Sequence, residues 1–279
     1  MGKHDTDQKI ESGFKKLKDR IRSKRYSGNP IVRFTVERLF DCASFLHIVK
    51  GLLTDKQYRA VFAMKLFHPG KVHQTTPATA LNRYPVIFSA CRDYFEGRHG
   101  IRILSFGCST GEEVITLRDY FLDAVIIGAE INKHSLEICR KRRPDDKMIF
   151  IESTDEEIKR NGPYDAVFCM AVFQREPHQI TEKGITDLSG IYPFSKFEKQ
   201  VCALDQYVRE GGLMVVHFSQ YDFRDTRAAS KYRVYGDYNQ DSYEASVFDK
   251  NCRLITGNKR RYSIFVKNVC DKNGNQRIK

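Results

Sequence analysis

Apolar positions recur at helical spacing through the first hundred residues, then at the spacing of short strands divided by helices. Phe34, Leu39, Phe40, Phe45, Leu46 and Val49 predict a helix over 31–53. Thr54-x-x-Gln57 reads as a capping box that opens a second helix to Phe67, and His68-Pro69-Gly70 stops it. Pro85 opens a third helix through Phe95. From Ile101 the period changes. Strands are expected at 101–106, 124–130, 148–152, 164–170 and 212–219, and helices at 111–122, 133–142, 155–160 and 196–209. Thr154-x-x-Glu157 and Ser195-x-x-Glu198 read as capping boxes for the last two helices. Such alternation implies an α/β fold with a mostly parallel, doubly wound sheet. In the tail, β-rich runs at 245–256 and 260–268 flank Gly257-Asn258, which reads as an antiparallel hairpin.

Three parts follow from this pattern. Residues 1–29 form a basic arm that ends at the breaker Ser27-Gly28-Asn29-Pro30, residues 30–97 a helical cap, and residues 98–279 the α/β domain. Charge sharpens the division. The chain carries +12 formally, yet residues 1–29 hold nine Lys/Arg against four Asp/Glu and residues 250–279 nine against one. The body between them is close to neutral, whereas a general nucleic-acid groove would spread its cations across the body. Basic ends suit RNA, an acidic protein or simple solvation. No apolar run approaches the ~18 residues that span a bilayer, and the first residues lack the apolar core of a secretory signal, so no membrane span and a cytoplasmic location are expected. Eight cysteines lie far apart with no C-x-x-C, which fits reduced thiols better than disulfides or a metal site.

The chemistry concentrates in residues 101–113, IRILSFGCSTGEE. A strand ends at Gly107, crosses Cys108, Ser109 and Thr110, and restarts at Gly111 as a helix. Ligands of open α/β sheets sit at such turns, and glycines let backbone approach them closely. Glu112 and Glu113 in the first helical turn repel a pyrophosphate and welcome a cation. S-adenosylmethionine offers an ammonium and a sulfonium and no phosphate. The spacing Gly107-x-x-x-Gly111 also departs from the G-x-G-x-x-G of nicotinamide binders. Glu130 ends the second strand about 20 residues on, where an acid accepts both ribose hydroxyls of an adenosine. Ile131 follows it, and Asn132 reads as an N-cap. Ser153 and Thr154 follow the third strand, at the adenine edge, although Thr154 serves equally as a helix cap.

FGCSTGEE, AEINKHSLEICRKR, YDAVFCMAVF and REGGLMVVHFSQ together resemble the chemotaxis-receptor methyltransferases, class I enzymes that esterify glutamate side chains. The likeness covers about residues 76–222, and C-S-T-G-E-E is its specific part. It implies a Rossmann-like class I methyltransferase fold, a C-terminal antiparallel hairpin, and S-adenosylmethionine as cofactor. It further implies that Gly107 and Glu113, with Cys108, Ser109 and Gly111 of the same turn, meet the methionyl part, and that Glu130 meets the ribose. Thr79-x-x-x-Arg83 matches a threonine and arginine that close over the cofactor, and a guanidinium suits its carboxylate. The chain departs from the family on the acceptor side. Where the family's fourth strand ends in C-R-N-V-L, this one has Cys169-Met170-Ala171-Val172-Phe173, with Met170 and Ala171 left beside the cofactor. An extra stretch runs over 174–194 and reads as a lid. His217-Phe218-Ser219 follows the fifth strand.

A carboxylate acceptor needs no base, whereas a hydroxyl needs one within hydrogen-bond reach. His178 in the insertion, and His217 and Tyr221 after the fifth strand, are the catalytic candidates, although His217 suits a packed strand-end histidine as well. The leading expectation is O-methylation of a small-molecule or glycan-type acceptor. The alternatives are a protein (carboxyl) or RNA methyltransferase that docks through the basic ends, and a catalytically silent cofactor-binding scaffold.

Overall fold

The computed structural model describes residues 29–67, 69–75, 78–142, 145–257, 260–270 and 276–277. The arm expected at 1–29 lies outside these residues but for Asn29, as does Asn258 of the expected hairpin turn. The chain forms two compact units divided between Arg59 and Ala60. The first is built on α1 (Pro30–Thr54), which runs into α2 (Lys56–Phe67). The Asn29 side chain accepts the Ile31 N–H at 3.0 Å and opens α1. The second opening differs from expectation by one residue. Asp55, not Thr54, caps α2 through the N–H groups of Gln57 and Tyr58 at 2.8 and 3.1 Å, because the Thr54 hydroxyl is turned back to the Lys50 carbonyl at 2.8 Å.

The second unit is organised on one seven-stranded sheet. In chain order its elements are α3 (Pro85–Tyr94), β1 (Arg102–Phe106), α4 (Glu112–Tyr120), β2 (Val125–Glu130), α5 (Lys133–Lys141), β3 (Met148–Glu152), α6 (Asp155–Asn161) and β4 (Tyr164–Met170). Then come α7 (Pro177–Glu182), α8 (Phe194–Asp205), β5 (Val208–His217), β6 (Tyr232–Val234) and β7 (Ile264–Lys267). A separate pair, β8 (Val269–Cys270) and β9 (Gln276–Arg277), follows. The strand order is β3-β2-β1-β4-β5-β7-β6, parallel except for β7, which runs antiparallel to both neighbours. Successive side chains of a strand point to opposite faces. Ile103, Ile126 and Phe168 therefore join Phe88 and Cys91 of α3, Val114 and Leu117 of α4, and Leu136 of α5. Their neighbours Leu104, Ile127 and Val167 join Phe197, Val201 and Leu204 of α8. Burial on both faces explains the near-continuous apolar strands.

Three expectations need correction. The cap proposed for 30–97 is not one body, because α3 packs on the sheet of the second unit. The antiparallel pair is made by β6 and β7, which are separated by a long excursion. The run at 245–256 forms only isolated bridges, among them Phe248 with Leu254, since β7 finds a full-length partner in β5. Ser195 caps nothing. α8 starts at Phe194, and Glu198 accepts the Arg227 N–H instead. The Thr154 cap forms as expected, with its hydroxyl accepting the Glu157 N–H at 3.2 Å.

The order reverses between β1 and β4, and the crevice at such a switch point is where open sheets take ligands. Gly128 in β2 lets the β1 turn and α4 close on the sheet. A Cβ there would stand 2.8 Å from Val114 and 2.9 Å from both Cys108 Sγ and Phe150. Gly128→Ala is expected to cost about 1–3 kcal/mol of stability by overpacking, read as a lower denaturant midpoint with unchanged slope.

Candidate functional site

After Phe106 the chain turns at Gly107, φ +75°, and α4 begins from Gly111, φ +95°. Both lie in the left-handed region that favours glycine. A Cβ on Gly107 would also come within 2.7 Å of the Val172 side chain after β4. The turn is pinned to β2. Gly107 and Cys108 donate to the Ala129 carbonyl at 2.8 and 3.2 Å, and the Ser109 N–H donates to Glu130 Oε2 at 2.8 Å. The other oxygen, Oε1, accepts the Asn132 N–H at 2.7 Å. Glu130 is 7% exposed. Burial pushes its carboxyl up, and the N–H groups of Asn132, Ser109 and Ile131 oppose that shift. Three of the carboxylate's roughly four acceptor positions are engaged by these donors.

The two acids of α4 part company. Glu112 turns outward to Arg142 and accepts the Thr110 hydroxyl. Glu113 turns inward, accepts the Ser105 hydroxyl at 2.7 Å, and is pushed up to about 8 by desolvation, which Ser105 and Arg83 only partly offset. Arg83 itself is exposed. It sits on a strap fastened to α4, where Asn82 donates its N–H to Thr116 at 2.9 Å and accepts the Tyr120 hydroxyl at 3.0 Å. Its charge acts on Glu113 and on His217 alike, which places it between the glycine turn and the end of β5. Thr79 is half-buried on the same strap.

Beyond Arg83 lies a cavity of about 440 Å³, bounded by Tyr84, Val86, His217, Phe218 and Tyr238. His217, 6% exposed, stands with Nδ1 2.8 Å from Ser263 Oγ. That hydroxyl donates to the Asn239 carbonyl at 3.3 Å, so its oxygen accepts from Nδ1–H and Nε2 keeps its lone pair. Burial, Arg261 and Arg83 lower His217 to about 3, so the ring is neutral at pH 7. Phe218 stacks on the imidazole with centroids 4.2 Å apart. It does so at φ +53°, a conformation that bulky residues avoid and that marks functional sites when held by its surroundings. Ser109 and Ala171, at the ends of β1 and β4, share the left-handed conformation.

The sequence candidates divide. Gly107, Cys108, Ser109, Gly111, Glu113, Glu130 and Ile131 gather at the ends of β1 and β2. Ser153 is tied there by its N–H to the Glu130 carbonyl at 3.0 Å, and Ala171, after Met170, donates to the His217 carbonyl at 2.8 Å. Cys108 is a packing residue, because burial and the adjacent Cys139 hold its thiol well above the usual range. Two catalytic candidates are not at the cavity. His178 is exposed in the first turn of α7. Tyr221 is fully buried, stacks on Phe197 at 5.6 Å, and gives its hydroxyl to the Tyr192 carbonyl at 2.5 Å. The stretch read as a lid contributes Ile180, Leu188 and Tyr192 to the core. Sequence reasoning missed Tyr84. Its hydroxyl is buried without a partner, and burial pushes it up to about 12. Its place between Arg83 and the helix-opening Pro85 was the available signal. Arg261 was missed as well. It is a buried guanidinium that reaches the Ser219 carbonyl and has no carboxylate at ion-pair distance among the described residues.

Titration should show these buried groups. His73, lowered to about 3 mainly by burial, joins His217. Both protonate first in the unfolded chain, near 6.5. Their contribution is therefore complete above that pH and falls by about 1.4 kcal/mol per pH unit for each histidine as pH drops toward 3. Denaturant melts from pH 7 to 4 should show this slope, and His73→Phe should remove one proton's share of it. Glu113 runs the other way. Its folded value of about 8 exceeds 4.5, so its contribution is complete below pH 4.5 and lost as pH rises through 8. Glu113→Gln should melt above the wild type at pH 9 and level with it at pH 4.

Residues 104–181 match the model of the family described as methyltransferase domain. No curated protein sequence matches the chain. Among solved structures it is similar to CalS10, an amino pentose methyltransferase from Micromonospora echinaspora with bound S-adenosylmethionine, at 17% identity over 55% of this chain and 54% of that one, TM-score 0.36. It is also similar to WbdD, at 16% identity over 74% and 46%, TM-score 0.41, and to the plantazolicin methyltransferase BpumL, at 14% over 59% and 54%, TM-score 0.35. The chain spans about half the length of these proteins. The residues at the switch point fit the cofactor. Gly107 and Gly111 hold the left-handed turn close against Val172, Cys139 and Phe150, and Glu130 offers a fixed, buried carboxylate to a ribose diol. Residues 104–181, on the central sheet, thus match a methyltransferase domain, and the residues around them fit S-adenosylmethionine as methyl donor.

Proposed function

We propose that the protein methylates an oxygen of a small-molecule acceptor held in the cavity beside Arg83. One observation carries the reading. Tyr84, whose buried hydroxyl has no partner, and His217, whose imidazole keeps a free lone pair, both line a single cavity beside Arg83. About 440 Å³ is the size of a small-molecule site and too small for a folded partner.

The cofactor supplies a methyl group on an electron-poor sulfonium. The protein's part is to hold and orient. Glu130 accepts from the ribose diol where its backbone donors leave it free. Glu113 faces the methionyl ammonium, and Arg83 pairs with the carboxylate. Thr79 closes the strap on the same side. His217 Nε2 accepts the proton of the acceptor oxygen, and the Tyr84 ring forms the wall beside it. Positioning an acceptor in line with the methyl group accounts for most of the acceleration such a reaction needs. Ester formation on a protein carboxylate, as in the chemotaxis-receptor enzymes, would require neither the imidazole nor the aromatic-walled cavity. The basic ends that could dock RNA or an acidic protein fall largely outside the described residues.

Calorimetry with S-adenosylmethionine is the first test. Glu130→Ala is expected to weaken binding at least about 100-fold, the loss of hydrogen bonding to a charged acceptor. No binding by the wild type would overturn the reading. His217→Gln should keep cofactor affinity and lose methyl transfer, whereas His178→Ala should retain both. Equal activity of all three proteins would remove His217 from the mechanism.

A further inference from the structure

We propose that the acceptor is a phenol, a flat aromatic ring seated in the cavity with its hydroxyl at His217. The inference rests on the reading above that this cavity is the acceptor site, and it names the substrate class. Three independent observations point to it.

The first is the walls. Tyr84, Phe218 and Tyr238 line the cavity and Val86 adds an aliphatic edge. Tyr84 and Phe218 meet edge to face, 5.5 Å apart, and Phe218 is held flat on His217 at an interplanar angle of 19° despite its strained backbone. A ring gains offset or edge contacts against such walls, while the polar lining residues Asn239 and Ser242 stand apart from them.

The second is His217. Its Nδ1 is engaged by Ser263, so Nε2 is left to take the proton of an acceptor oxygen in the cavity.

The third is the sign of the local charge. Arg83 lines the cavity, and the Arg261 guanidinium lies behind it, 5.3 Å from the Tyr243 ring that packs on Phe218. Asp237, the carboxylate on the lining, is already paired with Arg260. The cavity therefore favours an oxygen that develops negative charge. These same cations and burial leave His217 a weak base. A weak base in a cationic field suits a phenol, which ionises near pH 10 as tyrosine does, far better than a sugar or aliphatic alcohol. In the step itself the phenol proton passes to His217 Nε2 and from there to water. The oxygen lone pair forms the new bond to the methyl carbon. The carbon–sulfur bond breaks with its electron pair left on sulfur, so the sulfonium becomes a neutral thioether and one proton is released overall.

The test uses 4-nitrophenol, whose anion absorbs visible light and so reports binding and ionisation together. Titrated into the full-length protein below the probe's own pKa, it should bind saturably and become more ionised when bound. Unsubstituted phenol should displace it, and methyl glucoside should not. His217→Gln should weaken binding about 3- to 10-fold, the loss of one hydrogen bond, with an unchanged circular-dichroism spectrum. Should that variant misfold, Val86→Trp, which changes only an exposed position on α3 and fills the cavity, should abolish binding. Non-saturable binding, displacement by methyl glucoside, or affinity indifferent to both substitutions would overturn the proposal. Calorimetry with S-adenosylmethionine on the same sample separates the two claims. A protein that binds the cofactor but not the nitrophenol defeats the phenol assignment alone, and one that ignores the cofactor defeats the methyltransferase reading.

Discussion

The two backbone hydrogen bonds to the Glu130 carboxylate are what the site depends on. One comes from Ser109 in the β1 turn and the other from Asn132 at the start of α5. Together they fasten the end of β2 to its neighbours on either side of the crevice. A carboxylate taken out of water needs such donors, and backbone donors hold it more rigidly than a mobile side chain could. The arrangement also sets direction. With three backbone donors on it, the carboxylate is fixed in one orientation at the end of β2. Gly107 and Gly128 are consequences of the same closeness, since a side chain at either would push the turn away from β2 or from the end of β4.

The acceptor side follows a different logic. Its polar groups are not saturated. Tyr84 has a hydroxyl without a partner, His217 one engaged and one free ring nitrogen, and Arg261 a buried charge without a carboxylate among the described residues. Saturated networks such as the one at Asp205, which meets Lys231, Lys267 and Tyr232, stabilise a fold. Unsaturated groups beside a cavity cost stability, and the free His217 nitrogen is what a bound molecule would satisfy. The strap from Asn82 to Tyr84 joins the two regions, because Arg83 acts on both Glu113 and His217. Cofactor and acceptor would in this way share one cation.

The alternation of strand and helix, the Gly107–Gly111 turn, Glu130 and the Asn132 cap were legible in the sequence because each is local. A strand's period, a glycine where φ must be positive, and an acid at a strand end are properties of a few consecutive residues. The hairpin was misplaced for the opposite reason. β7 has a good β pattern, but which strands it joins depends on the edge that β5 leaves open, and its other partner, β6, lies some thirty residues upstream. Tyr221 looked equal to His217 because both follow the same strand. One faces the cavity and the other the aromatic core under α8, and four residues of chain suffice to change sides.

The sequence by itself thus determined the class of fold, the glycine turn and the acid at the end of β2, which are built by backbone and by residues near in the chain. Only the tertiary structure decided the cavity beside Arg83. Tyr84 comes from before the sheet, His217 from its fifth strand and Tyr238 from a late loop, and burial alone turned an ordinary tyrosine into an unpartnered donor and an ordinary histidine into a neutral one. Neither burial nor the meeting of distant segments leaves a periodic trace along the chain, since both are products of the folded packing.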